Sequence, residues 1–170
     1  TDVMLLLQRG YIDIGFMGGA QIDRYGNLNS SFIGDPEQPK IRLPGTGGGN
    51  DISSLTNMIV AMKHEKRRFV PKVDFITSPG FLDGGTSRSD AGLVSGGMFR
   101  VVTDLAILGF DEQSKEMKVL SLHNGVSSEQ VQDNTGFDLA FDDTVQTTQP
   151  PEPEELAVVR ELDPESLYTA

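Results

Sequence analysis

The sequence contains no cysteine, which excludes disulfides, thiolate metal sites and a cysteine nucleophile. Its two histidines, His64 and His123, stand far apart and show no zinc-ligand spacing, so no metal site is expected. No apolar run approaches the roughly 18–20 residues that a membrane span needs. Nor does a basic segment followed by an apolar one open the sequence, as an export leader would; a cytoplasmic protein is expected. Cations are scarce. Lys and Arg number 14 against 25 Asp and Glu, a formal net charge of −11, and the basic footprint of a nucleic-acid binder is missing. A small anionic ligand remains possible, because a few local amides and cations can outweigh the global field. The one concentrated basic stretch, from Lys63 to Lys72, reads as a solvated face or a subunit contact.

What is present suits one soluble domain with a real core: 170 residues, 37% hydrophobic and 23% charged. Residues 1–149 are expected to form the body, and residues 150–170 a linker and terminal helix of the same domain. The opening TDVMLLLQRG reads as the end of an amphipathic helix with no initiating Met, which suggests a fragment or a processed product.

Residues 3–9 look helical, and YIDIGFMGGAQID then reads as a buried strand ending in small residues. Arg24 to Asn27 is turn chemistry, with Asp23 and Asn27 its ordering side chains, and LNSSFIG returns as a strand. After a proline-containing loop and a glycine cluster, Asn50 or Asp51 caps a helix through Ile52, Leu55 and Met58. Met58–Met62, Val73–Thr77 and Phe99–Thr103 are short apolar runs expected to be strands, with residues 79–97 a long loop. Leu105–Phe110 and Met117–Leu122 flank a polar turn as a β-hairpin. Ser127 with Gln130 opens a short helix that Gly136 stops. Asp142 and Asp143 fall in a solvated linker, and a last helix carries Leu156, Val158, Val159 and Leu162 behind Pro151 or Pro153. The expected fold class is α/β with a mixed sheet.

The segment with the most chemistry is Leu43-Pro44-Gly45-Thr46-Gly47-Gly48-Gly49-Asn50-Asp51, just ahead of a predicted helix. Glycine lets backbone amides approach a ligand, and amides at a helix start carry partial positive charge. Such a loop can hold a phosphate, a carboxylate or the oxyanion of acyl transfer. It is not a dinucleotide fingerprint, since Asn50 stands where glycine is needed, and a P-loop would require Gly-Lys-Ser/Thr. A flexible loop without a ligand has the same composition. Gly18-Gly19-Ala20 is a second point of close approach, or simply tight packing. His64-Glu65 has no third partner for acid–base work and reads as structural.

Five stretches in order, GGAQIDRYGNLNSSFIGD, IRLPGTGGGNDIS, HEKRRFVPKVDFITSPGFLDG, VVTDLAILGFDE and SSEQVQDNTGFDL, resemble the β-type subunits of class I CoA-transferases, and the glutaconate CoA-transferase group above all. The likeness runs from about Gly10 to Leu139. It implies an open mixed-sheet α/β sandwich of the CoA-transferase type, here truncated at its amino terminus. The resemblance also implies active sites shared with an α-type subunit, coenzyme A as a substrate, and no permanent cofactor. The implied reaction is ping-pong: a glutamate attacks the acyl-CoA, and an enzyme–CoA thioester carries CoA to the acceptor acid. In this family an amide of the glycine loop stabilises the oxyanion, and Gly48 is the matching position. Gly47, Gly49, Asn50, Gly19 and Ala20 are then expected to border substrate or CoA. The family's nucleophilic glutamate lies upstream in a Glu-Gly or Glu-Asn-Gly setting. No glutamate here, Glu37, Glu65 and Glu112 included, has that setting, so the chain alone is expected to be inactive. Two other outcomes are a CoA-thioester ring-opening hydrolase subunit of the steroid-degradation type and a non-catalytic binding or assembly relative.

Overall fold

The computed structural model describes residues 2–93 and 95–167. In chain order the elements are α1 (Asp2–Gln8), β1 (Ile14–Met17), β2 (Gln21–Ile22), β3 (Leu28–Asn29), β4 (Phe32–Gly34), β5 (Pro39–Arg42), α2 (Gly49–Leu55) and β6 (Asn57–Ala61). There follow α3 (Ser87–Asp90), β7 (Gly97–Val102), β8 (Ala106–Phe110), β9 (Met117–Leu122), α4 (Ser128–Asp133), β10 (Ala140–Thr147) and α5 (Pro153–Leu162). Six strands make one sheet in the order β1-β6-β7-β8-β9-β10. Pairing is parallel from β1 to β7, antiparallel through the β7-β8-β9 hairpins, and parallel again between β9 and β10. The mixed α/β class is as expected.

Alternation along the strands decides which residues form the core. Met58, Val60, Met98, Val101, Ala106, Leu108, Met117 and Val119 are buried on one face, packed with Ile22, Leu28, Phe69, Val131 and Phe137. Gly15 turns the same way, and its missing side chain leaves room for Ile52 of α2. The other face is open among the described residues. Ile14 and Phe16 are 41% and 74% exposed there, although parallel strands ordinarily have both faces covered. A bulge in β7 lets Met98 and Val101 both point into the core, while Phe99 and Arg100 stack on each other, 4.1 Å from guanidinium to ring centroid.

Several expectations need correction. Val73–Thr77 is not a strand. Its one backbone–backbone bond to a strand among the described residues is from the Thr77 amide to the Leu28 carbonyl, which the next residue, Ser78, also reaches, while the Asp74 amide donates to the Gln21 side chain. Asp74, in the middle, accepts from Gln21 Nε2 and the Gly34 amide, and Phe75 packs at a tilt against Phe32. LNSSFIG divides into β3 and β4, because the Asn29 carboxamide turns the chain by accepting from the Ser31 amide and donating to the Phe32 carbonyl. The 79–97 loop holds one helical turn, α3. Asp142 and Asp143 lie in β10, which the linker reading missed, and α4 stops at Asp133 before Gly136. The Ser127 hydroxyl does accept the Gln130 amide, at 3.2 Å.

The turn at 23–27 is a bracket rather than a simple turn. The Asp23 carboxylate accepts the Tyr25 and Asn27 amides and the Asn27 side chain. Asn27 then reaches across to residues 80–82, accepting the Gly80 and Leu82 amides and donating to the Leu82 carbonyl at 2.8 Å. Burial pushes the Asp23 carboxyl up, with these donors partly offsetting the shift.

His64 is likewise structural. It is buried, stacks on Phe69 at 4.1 Å between ring centroids, and engages the Thr103 and Thr135 hydroxyls. Burial lowers its pKa from 6.5 to about 4, with Asp104 opposing the shift. The native state holds His64 neutral, so the unfolded chain binds the extra proton. Stability from this group is therefore complete above pH 6.5 and is lost as pH falls toward 4. The loss is on the order of 3 kcal/mol across that window. Urea midpoints of the wild type and His64→Phe between pH 7.5 and 4 should converge as the medium acidifies; parallel curves would mean that His64 does not titrate.

Candidate active site at the glycine loop

Residues 45–48 are held from both ends. Upstream, Ser30 grips Gly45 twice: its carbonyl accepts the Gly45 amide at 2.9 Å, and its hydroxyl donates to the Gly45 carbonyl at 3.0 Å. Thr77 supports Ser30 from beneath by accepting its amide. Downstream, α2 begins at Gly49 with Gly48 as its N-cap, so neither Asn50 nor Asp51 caps it. Thr46 does that work: its carbonyl accepts the Gly49 amide at 2.7 Å and its hydroxyl accepts the Asn50 amide at 3.0 Å. Gly47 has φ +50°, which favours glycine.

The three glycines then differ. Gly49 is buried, and a Cβ there would come within 2.7 Å of Met17 Cε and 2.8 Å of Ser78 Oγ, so only glycine fits. Gly48 is half-buried beneath the Met4 methyl of α1, and Gly47 is exposed. Among the described residues, neither the Gly47 nor the Gly48 amide has a hydrogen-bond partner. Asn50 contributes to the scaffold, its side chain donating to the Thr77 carbonyl at 3.4 Å. The Ser78 hydroxyl is buried directly against Gly49, with no hydrogen-bond partner among the described residues.

The fold brings Gly19 and Ala20 to the same end of β1. The Ala20 amide donates to the Asn29 carbonyl at 2.9 Å, one residue before Ser30. Ala20 forms part of a cleft of about 200 Å³ with Ile33, Ile41, Leu43, Arg67 and Arg68. The two arginines, expected on a solvated face or a subunit contact, stand beside the Gly19–Ala20 turn, with the Arg67 side chain 77% exposed. Arg68 donates to the Gly19 carbonyl at 3.4 Å, and both arginines donate through Nε to Glu65 Oε2, at 2.7 Å from Arg67 and 3.0 Å from Arg68. Those two bonds hold the Glu65 carboxyl below the usual range. The spacing of Glu65 from Arg68, three residues, was the available signal. Among the described residues, no group of three or more His, Cys, Asp or Glu is placed to hold a metal ion, and no helix is long and apolar enough to cross a membrane.

Chemically, two open amides at a helix start suit an anion or an oxyanion, and a cleft with an apolar wall and a cationic rim suits a short chain that carries an anion. Residues 1–134 match the family model described as coenzyme A transferase. The chain is 47% identical over 153 residues to the β-type subunit of glutaconate CoA-transferase from Acidaminococcus fermentans, covering 89% of this chain and 57% of that protein. It is 44% identical over 158 residues to the corresponding subunit of 3-oxoadipate CoA-transferase from Pseudomonas knackmussii, covering 92% and 61%. A cholesterol ring-cleaving hydrolase IpdB subunit of Rhodococcus jostii is more distant, at 37% over 154 residues, covering 89% and 60%. The crystal structure of the Acidaminococcus glutaconate coenzyme A-transferase superimposes with a TM-score of 0.90 at 40% identity, over 99% of this chain and 66% of that one. This chain thus spans about three-fifths of the length of these curated relatives, and it belongs to the coenzyme A transferase family.

Proposed function

We propose that this chain is part of the β-type subunit of an acyl-CoA:carboxylate CoA-transferase, working with an α-type subunit and presenting the oxyanion amide of Gly48. The observation that carries this reading is the pair of unpartnered amides at Gly47 and Gly48, fixed by Ser30 on one side and Thr46 on the other. A carboxylate attacking a thioester carbonyl generates a tetrahedral oxyanion, and a donor already in place stabilises it without reorganisation. Collapse expels CoA thiolate and leaves an acyl anhydride. The thiolate then attacks the enzyme's own carbonyl of that anhydride, releasing the acid and forming the enzyme–CoA thioester. The acceptor acid reverses the sequence, and no redox partner is required.

In this reading the nucleophile is not one of the glutamates of residues 1–170. Glu65 serves instead as the anchor of Arg67 and Arg68. Gly49 supplies close packing, and Gly19 and Ala20 form the turn next to the substrate. The identity to glutaconate and 3-oxoadipate CoA-transferase subunits, higher than that to the hydrolase subunits, supports exchange over ring cleavage.

The test is to incubate the assembled native protein with succinyl-CoA, reduce it with borohydride and map its peptides. A glutamate converted to the alcohol, only after exposure to acyl-CoA, is the expected result. Acyl-CoA consumption with no trapped glutamate would indicate a hydrolase. No reaction with any acyl-CoA would favour an assembly role.

A further inference from the structure

We infer that Arg88 is a positioning residue for the Gly47–Gly48 amides, acting through a seat that it builds between helix α2 and residues 78–80. This inference rests on the transferase reading of the glycine loop, and it assigns a task to a buried cation that the proposed chemistry does not otherwise use. Three observations carry it.

The first is what Arg88 holds. It lies on α3 and is 6% exposed. Its Nη1 donates to the Pro79 and Gly80 carbonyls at 3.2 and 2.8 Å, and its Nη2 donates to the Ser53 and Ser95 carbonyls at 2.7 and 2.6 Å. The terminal N–H groups are thus spent on main-chain carbonyls, and no carboxylate pairs with the guanidinium among the described residues. Such charge-assisted bonds are stronger than neutral ones. The planar fork joins three separate pieces of chain, which the single nitrogen of an ammonium does less well.

The second is the need of α2 for support. The helix has seven residues and is about 10 Å long. A helix that short does not stand on its own propensity, so tertiary contacts set its place. Its two buried residues, Gly49 and Ser53, lie one turn apart on the same face. Ser53 is in the last turn, where carbonyls run out of intrahelical donors and a cation is favoured. Arg88 supplies the donor and the charge together.

The third is the unbroken path from Arg88 to the open amides. Residues 77–80 run alongside α2. The Thr77 carbonyl accepts the Asn50 side chain, the Ser78 hydroxyl lies against Gly49, and Pro79 and Gly80 share Arg88 with Ser53. Gly49 directly follows Gly47 and Gly48, so a shift of α2 on this seat is a shift of the donors. Displacing an aligned group by about 1 Å can cost about 10²-fold in rate.

The test follows a single turnover. The assembled protein is mixed with succinyl-CoA, and formation of the enzyme–CoA thioester, with release of succinate, is read by intact mass. Arg88→Lys keeps the charge but cannot serve four carbonyls. It should lower the rate constant by about 10–100-fold, with the amplitude and the half-saturating succinyl-CoA within about twofold of wild type. Ser78→Thr adds a methyl against Gly49 and touches none of the Arg88 bonds. It should lower the rate constant in the same way, and it carries the test alone if Arg88→Lys does not assemble. In a Gly48→Pro background neither change should lower the rate further, because the donor through which both act is already gone. A fall in amplitude at an unchanged rate constant would reduce Arg88 to a structural role and overturn the inference, as would losses that add in full to that of Gly48→Pro. If the wild type forms no thioester, the transferase reading fails by itself, and deuterium exchange decides the seat. Either variant should then speed exchange at the Gly49 and Asn50 amides at least about tenfold relative to the β8–β9 hairpin, and an unchanged ratio would overturn the inference.

Discussion

Replacing Asn27 by alanine is expected to cost about 3–5 kcal/mol of folding stability, read as a fall in the urea midpoint with an unchanged slope. The reason is the number of groups that one side chain satisfies. Asn27 accepts the Gly80 and Leu82 amides, donates to the Leu82 carbonyl, and donates to both oxygens of Asp23. It is fully buried, so water cannot replace those bonds. Each orphaned buried polar group costs about 1–3 kcal/mol, and here several are orphaned together. Asn27→Asp sharpens the test. It keeps the acceptor for the two amides but sets a second carboxyl against Asp23, and two such groups cannot both ionise at contact. Its defect should therefore shrink as the pH is lowered from 7 to 5, whereas that of Asn27→Ala should not. A loss below about 1 kcal/mol for Asn27→Ala would show that the 80–82 segment is held by other means.

At Gly48 the expected effect is on chemistry. If the assembled protein works as proposed, Gly48→Pro removes the amide hydrogen and should lower kcat by about 10²–10³, with KM little changed. That split identifies a donor used mainly in the transition state. A raised KM at constant kcat would assign the amide to ground-state binding instead. Folding must be followed in parallel by thermal denaturation, because proline also restricts Gly47, which has positive φ. Gly48→Ala supplies the control. It keeps the amide, but its Cβ meets Met4 Cε, the mobile end of a flexible side chain. A modest loss is expected, and Met4→Ala in the same background should restore activity by making room. If the double variant stayed as poor as Gly48→Pro, the defect would be steric rather than electrostatic.

How much of this was legible in the sequence follows from the range of the forces involved. β6, β7 and the β8–β9 hairpin could be read because an apolar run bounded by turn chemistry says the same thing locally and globally. Val73–Thr77 carries an equally β-prone run, yet it is drawn off the ladder by Asp74 and Phe75, whose partners lie some 40 residues away. β10 was hidden by the reverse effect. Its acidic stretch looks like linker, and the strand is secured by pairing with β9 rather than by a hydrophobic pattern of its own. The glycine loop was visible, whereas its cap was not: Thr46 precedes the helix by three residues, and Asn50 and Asp51 are the more obvious cap formers. Arg67 and Arg68 were lost in a run of cations, and it is their shared grip on Glu65 and their place at the cleft that distinguish them from Lys63 or Lys66.

The two-sided hold on the glycine loop has a consequence for motion. The Gly45 amide is closed onto Ser30, and those of Gly49 and Asn50 are closed onto Thr46. Between them the amides of Thr46, Gly47 and Gly48 have no partner among the described residues, so deuterium should enter the segment at three adjacent sites and be excluded on either side. The backbone entropy of the loop is thereby confined to the amides offered to a ligand. Occupancy would slow exchange within those three positions, at Gly47 and Gly48 above all, and the scaffold would stay as it was before the ligand arrived.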